Sequence, residues 1–141
     1  MKELFEELKN NFGVSEKDGF LIFEKEKLKE IFNLLKEKGF RFLSFITAVH
    51  FKEHFEIVYA LRNIPEKDII FLKTKIKENE EIETLCDIYN GANWMEREIY
   101  DLFGIKFKNH PDLRRILLPE DYEGHPLRKD FPINAPYKNW R

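Results

Sequence analysis

Apolar positions recur along the chain with two different periods. Leu4, Phe5, Leu8 and Phe12 share one stripe of a helix over 2–12, and Gly13 sits where a left-handed C-terminal cap belongs. Asp18-Gly19 is a turn signal, and Phe20–Phe23 after it reads as a short strand. Leu28, Ile31, Phe32, Leu34 and Leu35 predict a second helix over about 25–38, with Gly39 just past its end. The period then shortens to two. Phe45, Thr47 and Val49 alternate with Ser44, Ile46 and Ala48. Phe55, Ile57 and Tyr59 alternate with Glu56, Val58 and Ala60. The gap between these runs suits an antiparallel hairpin over about 42–51 and 55–62. Ile70, Leu72 and Ile76 oppose Phe71, Lys73 and Lys75 in a third strand over about 69–76. Lys77–Glu83 reads as a solvated connection. Thr84–Tyr89 and Asn93–Phe103 read as a broken helix pair, interrupted at Asn90-Gly91. The expected class is α+β: an antiparallel sheet with helices packed on one face, followed by an extended Pro- and Arg-rich tail.

Composition sharpens that division. Residues 1–104 hold 16 basic and 21 acidic side chains, whereas 105–141 hold 8 basic and 5 acidic ones and five of the six prolines. We therefore divide the chain into a globular domain, 1–104, and a C-terminal segment, 105–141. A proline-rich stretch of about 37 residues does not fold alone, and loops of that length are usually functional or bound to a partner. The acidic body argues against a nucleic-acid groove, so the Phe-rich strands are expected to be core. No apolar run approaches the roughly 18 residues of a membrane span. The N-terminus lacks a signal-peptide core, so the chain is expected in or facing the cytosol. Cys86, the single cysteine, cannot hold an iron–sulfur cluster. It is expected to be a buried small apolar residue.

The unusual chemistry lies between Asn93 and Pro132. On a helix over 94–103, Met95, Ile99, Leu102 and Phe103 make an apolar face, with Trp94, Arg97, Glu98 and Asp101 opposite. Arg97 and Asp101 are four apart and placed to pair. Glu96 falls among aromatic residues, where a carboxylate needs a partner, and Arg114 or Arg115 is the expected one. Arg128 and Lys129 are expected to meet another protein. His110, Asp112, His125 and Asp130 match no compact zinc spacing, and each histidine precedes a proline. A metal-dependent hydrolase built on His110, Asp112 and His125 is kept only as a contrasting reading. His50 and His54 flank the hairpin turn and are expected to be exposed.

The run Glu96-Arg97-Glu98-Ile99-Tyr100-Asp101-Leu102-Phe103-Gly104-Ile105, followed by His110-Pro111-Asp112-Leu113-Arg114-Arg115-Ile116-Leu117 and by Gly124-His125-Pro126-Leu127-Arg128-Lys129-Asp130-Phe131-Pro132, resembles the 30 kDa subunit family of NADH–quinone oxidoreductase, respiratory complex I. Ile46-Thr47-Ala48-Val49, Ile57-Val58-Tyr59 and Ala92-Asn93-Trp94 extend the likeness upstream. One position departs: His50 stands where many members carry Asp. The resemblance implies an accessory subunit of the hydrophilic arm, peripheral on the cytoplasmic side of the cell membrane. It implies no cofactor in this chain, with flavin and iron–sulfur clusters in partner subunits. The C-terminal segment would wrap the neighbouring quinone-site subunit, with Glu96, Arg97, Glu98, Asp101, His110, Arg114, Arg115, His125, Arg128, Lys129 and Asp130 as structural or interface residues. The alternative is the equivalent subunit of a membrane-bound hydrogenase or another donor-specific relative.

Overall fold

A computed structural model describes residues 2–63 and 68–128. Helix α1 (Lys2–Phe12) ends at Gly13, whose φ of +69° is the left-handed conformation expected of it. Two short strands follow, β1 (Ser15–Lys17) and β2 (Phe20–Ile22), joined by Asp18-Gly19 with φ of +54° and +84°. Two central residues at positive φ make the turn whose twist matches an antiparallel pair, so the Asp-Gly signal marks a hairpin rather than only a strand start. A 3-10 turn (Lys25–Lys27) leads into α2 (Leu28–Glu37). Strands β3 (Phe42–His50), β4 (His54–Asn63) and β5 (Asp68–Lys77) form an antiparallel meander at the expected positions.

The five-stranded sheet has the order β1-β2-β5-β4-β3. It is mixed, because β2 lies parallel to β5, Leu21 opposite Leu72. This corrects the expectation of a wholly antiparallel sheet. A three-residue strand carries no orientation signal of its own; it takes the free edge of β5 in whichever direction the chain delivers it.

One sheet face is the core. Ile46, Tyr59, Leu72 and Leu21 share one row and Leu43, Leu61 and Ile70 the next. Leu8 of α1 and Ile31, Phe32 and Leu35 of α2 are fully buried in the same cluster. Each such side chain contributes about 1.5–3 kcal/mol. A bulge between Leu43 and Phe45 resets the alternation of β3, leaving Phe45, Thr47 and Val49 on the other face. Phe42 and Phe45 are exposed there, which corrects the reading of every strand phenylalanine as core. His50 is also corrected: it is buried, stacked on Phe55 at 4.5 Å, with Nε2 2.9 Å from Glu78 Oε1. It occupies the inward-facing phase of β3, a consequence of the bulge. His54 is half-buried.

Past β5 the sequence expectations need three corrections. The supposed solvated connection contains β6 (Ile82–Glu83), with Ile82 buried and parallel to β7 (Phe107–Lys108). Residues 85–89 form hydrogen-bonded turns rather than a helix, with Ile88 and Tyr89 N–H both on the Leu85 carbonyl. The Tyr89 hydroxyl donates to the Phe40 carbonyl at 2.6 Å and Lys36 to the Ile88 carbonyl at 2.6 Å, so the turns are tied to α2 and its exit. Helix α3 (Ala92–Phe103) forms as expected and packs against β3. Finally, no break separates 104 from 105. Ile105 and Phe107 belong to the same core, and the chain to Arg128 lies back along α3.

Candidate functional site: two carboxylates of helix α3

Glu96 and Asp101 are both fully buried, and each organises a different segment. Among the described residues no arginine pairs with Glu96. The Thr84 hydroxyl donates to Oε1, Leu85 N–H donates to Oε2 at 2.8 Å, and the Cys86 thiol lies 3.5 Å from Oε1. These bonds hold residues 84–86 in a turn and compete with the helix expected there. Burial pushes the Glu96 carboxyl up to about 7, against the pull of those donors. The expected partners Arg114 and Arg115 lie elsewhere.

His110 closes the same pocket, its Nε2 3.9 Å from Glu96 Oε1. Asp112 N–H donates to His110 Nδ1 at 3.0 Å, so the ring proton is on Nε2, which donates to the Asn93 carbonyl at 3.1 Å. Cys86, Glu96 and His110 therefore bring possible ligand atoms within 4.8 Å of one another. Both histidine nitrogens and both carboxylate oxygens are already hydrogen-bonded, and burial pushes the Cys86 thiol up to about 11, so it is held protonated. The chemistry of this set is that of a satisfied polar core. The other residues weighed as metal ligands are similarly occupied: Asp112 pairs with Arg114 at 2.8 Å, and His125 Nδ1 donates to the Asp101 carbonyl at 2.9 Å.

Asp101 is the opposite case. Its Oδ2 accepts three successive backbone N–H groups, from Ile116 (3.1 Å), Leu117 (2.7 Å) and Leu118 (2.9 Å). Its Oδ1 takes Arg115 at 2.6 Å. Burial opposes ionisation, but Arg115 and the three amides outweigh it and hold the carboxyl below its ordinary value. The expected Arg97–Asp101 pair is not made. Arg97 instead donates to the Arg114 and Arg115 carbonyls, both at 3.2 Å, with its guanidinium 5.7 Å from the Trp94 ring centre. Helical periodicity alone puts Asp101 on the outer face of α3; it is buried because the chain after 110 covers that face. Glu98 is half-buried, and its carboxylate makes no hydrogen bond among the described residues.

The same segment satisfies the carbonyls that the end of α3 leaves without helical partners. Gly104 N–H, at φ +80°, takes Tyr100. His125 and Arg115 take Asp101, Leu127 N–H takes Leu102 at 2.9 Å, and Arg128 reaches Phe103 at 3.4 Å. Two arginines at a helix C-terminus also suit its dipole. Arg128, expected to meet another protein, is turned onto this chain, 3.4 Å from Glu78 and over the Phe55 ring. Lys129 and Asp130 lie outside the described residues. Sequence reasoning missed Thr84, Glu78 and Gly104. Only Gly104 carried a signal, as a glycine directly after the last apolar position of a helix.

The large apolar side chains here point outward: Trp94, Leu117 and Leu127 are 59%, 55% and 52% exposed. An open groove of about 760 Å³ lies elsewhere, between α1, β2 and β5. Fold and site together define an α+β domain carrying a pinned extended arm.

The profile of the family described as "Respiratory-chain NADH dehydrogenase, 30 Kd subunit" matches residues 21–137, and the chain belongs to that family. The corresponding NADH-quinone oxidoreductase subunit of Geotalea uraniireducens is 45% identical over 121 residues, covering 82% of this chain and 74% of that protein. NADH-quinone oxidoreductase subunit 5 of Thermus thermophilus is 39% identical over 127 residues, or 81% and 61% of the two chains. A trypsin-resistant fragment (1-134) of Nqo5 superposes with a TM-score of 0.72 at 31% identity, covering 79% of this chain and 98% of the fragment. A chain of the membrane-bound sulfane sulfur reductase, an archaeal respiratory membrane complex, gives a TM-score of 0.80 at 26% identity, over 94% and 86%.

Proposed function

We propose that this chain is a cofactor-free accessory subunit of the hydrophilic arm of a proton-translocating NADH–quinone oxidoreductase. It docks on the quinone-site subunit through its C-terminal segment and is held peripherally on the cytoplasmic side of the membrane. The observation that carries the docking is a contrast between backbone and side chains in 110–128 and the helix α3 beneath it. The backbone of this arm is bonded to Asp101, Arg97 and the end of α3, while Trp94, Leu117 and Leu127 are held out to solvent. A pre-ordered backbone presenting exposed apolar side chains suits binding, because little ordering cost remains. A single cysteine in the whole sequence supports the cofactor-free reading. Among the described residues no helix is long and apolar enough to cross a membrane, which suits attachment through neighbouring subunits.

The test is a Leu117→Asp, Leu127→Asp double variant. The free chain is expected to keep its melting temperature, and its co-purification with the quinone-site subunit to fall. Unchanged assembly would overturn the docking role. The likeness to a sulfane sulfur reductase chain favours a second reading, the same role in a complex with another electron donor, a membrane-bound hydrogenase included. Donor-dependent quinone reduction by the purified complex separates the two: NADH supports the first reading, and activity only with another donor supports the second.

A further inference from the structure

The face of the sheet turned away from the helices is a second apolar surface, distinct from the arm. Register places Phe45, Ala60, Phe71 and Phe20 in one row across four strands. Phe45 packs 6.2 Å from Phe71, which packs 6.0 Å from Phe20. Phe45 and Val49 are 39% and 46% exposed, and Phe42 and Ile69 extend the patch toward one end. On the opposite face, equivalent rows are covered by α1 and α2. Uncovered contiguous apolar area of this kind marks a binding surface.

Its charge is one-sided. Among the described strand residues, alternation and register put Lys17, Arg62, Lys73, Lys75 and Lys77 on this face against one carboxylate, Glu56, which Lys73 holds at 3.3 Å. The chain as a whole carries a net charge of -2, so this face is more basic than the average of the chain. We propose that this outer sheet face docks an amphipathic helix of another subunit, with an apolar stripe over the phenylalanine row and Asp or Glu along its flanks. A helix laid on a sheet is how the other face is already covered, and acidic flanks would complement the lysine rim. The rings oppose a nucleic-acid reading: they meet each other tilted or edge-on, at 42° and 60°, and do not stand as parallel plates for bases. They also lie within the sheet between Arg62 and Lys73 rather than on a protruding loop, so entering a bilayer would desolvate those cations.

This proposal rests on the reading of the chain as a subunit of a larger complex, and the experiment separates the two. A benzoylphenylalanine photo-crosslinker is placed at Val49, or separately at Leu117, in the full chain assembled in native membranes. The expected product at Val49 is a bond to an acidic, amphipathic helical segment of a different subunit of the same complex. Lys75→Glu should lower that yield about threefold while leaving the Leu117 product unchanged. Products at Val49 with lipid, nucleic acid, a second copy, a basic segment or residues 129–141 of the same chain would overturn the proposal. So would no product at Val49 where Leu117 still crosslinks to a subunit. If neither position reaches a subunit, the docking reading of the chain falls as well.

Discussion

Glu96 and Asp101 stand on one helix, both closed off from solvent with Glu96 the more deeply set, and they differ in what reaches them. Among the described residues Glu96 accepts hydrogen bonds from neutral donors, the Thr84 hydroxyl, one backbone N–H and a thiol, and burial dominates: its carboxyl is pushed up to about 7. Asp101 meets three N–H groups and an arginine, and its carboxyl is held below the ordinary range. Depth of burial and the number and charge of the donors together decide what an internal carboxylate does. The two also serve different ends. Glu96 fastens the turn at 84–86 within the domain, and Asp101 fastens the arm to it.

The largest expected effect breaks the Asp101 side. Asp101→Ala leaves three half-buried amides without their acceptor and Arg115 without its counter-charge, and should cost about 3–5 kcal/mol. A large fall in melting temperature, with new proteolytic cleavage between 112 and 128, is the outcome to look for. An unchanged cleavage pattern would mean the arm is held by something else.

The pH dependence sharpens the comparison, because the two signs are opposite. Glu96 has a folded value above its ordinary 4.5, so the stability it contributes is present below about pH 4.5 and lost as pH rises through about 7. Asp101 has a folded value below 3.8, so its contribution is present above that and lost as pH falls. Relative to Glu96→Gln, the wild-type chain should lose on the order of 2–3 kcal/mol between pH 4.5 and 7. Parallel stability curves for the two proteins across that window would contradict the assignment of a raised carboxyl.

A smaller effect is expected at Gly104. Its φ of +80° disfavours any Cβ, and a Cβ there would meet His125 Cδ2 at 2.8 Å. Gly104→Ala should cost about 1–2 kcal/mol and loosen His125 from the Asp101 carbonyl. Tryptic cleavage after Arg115 or Arg128 that is no faster than in the wild type would show that the close approach is relieved elsewhere.

The elements that a period of two or 3.6 can announce were legible in the sequence: α1, α2, α3 and the β3–β4–β5 meander, each within a residue or two except the start of α2, where a 3-10 turn occupies Lys25–Lys27. The pattern alone favours a solvated face for Glu96; its burial is expected only from the family resemblance, and then as part of an ion-pair network rather than among neutral donors. What escaped depends on pairing over distance. Ile82 looks solvated in the sequence because its strand partner, Phe107, is 25 residues away. Asp101 looks exposed because the arm that buries it begins after His110. Residues 84–89 look helical because local pattern cannot show that Glu96 will claim the Thr84 hydroxyl and the Leu85 N–H. The orientation of β2 and the burial of His50 belong with these: one follows the free edge of β5, the other a bulge that the alternation of β3 does not announce.

The central claim is that the arm is ordered by this chain's own helix before any partner arrives. Amide hydrogen exchange of the isolated chain tests it at Ile116, Leu117 and Leu118. Protection of those three amides well above unfolded-chain rates, lost in Asp101→Ala, is the predicted result. Exchange at unfolded-chain rates in the wild type would show that the arm takes its shape only on its partner.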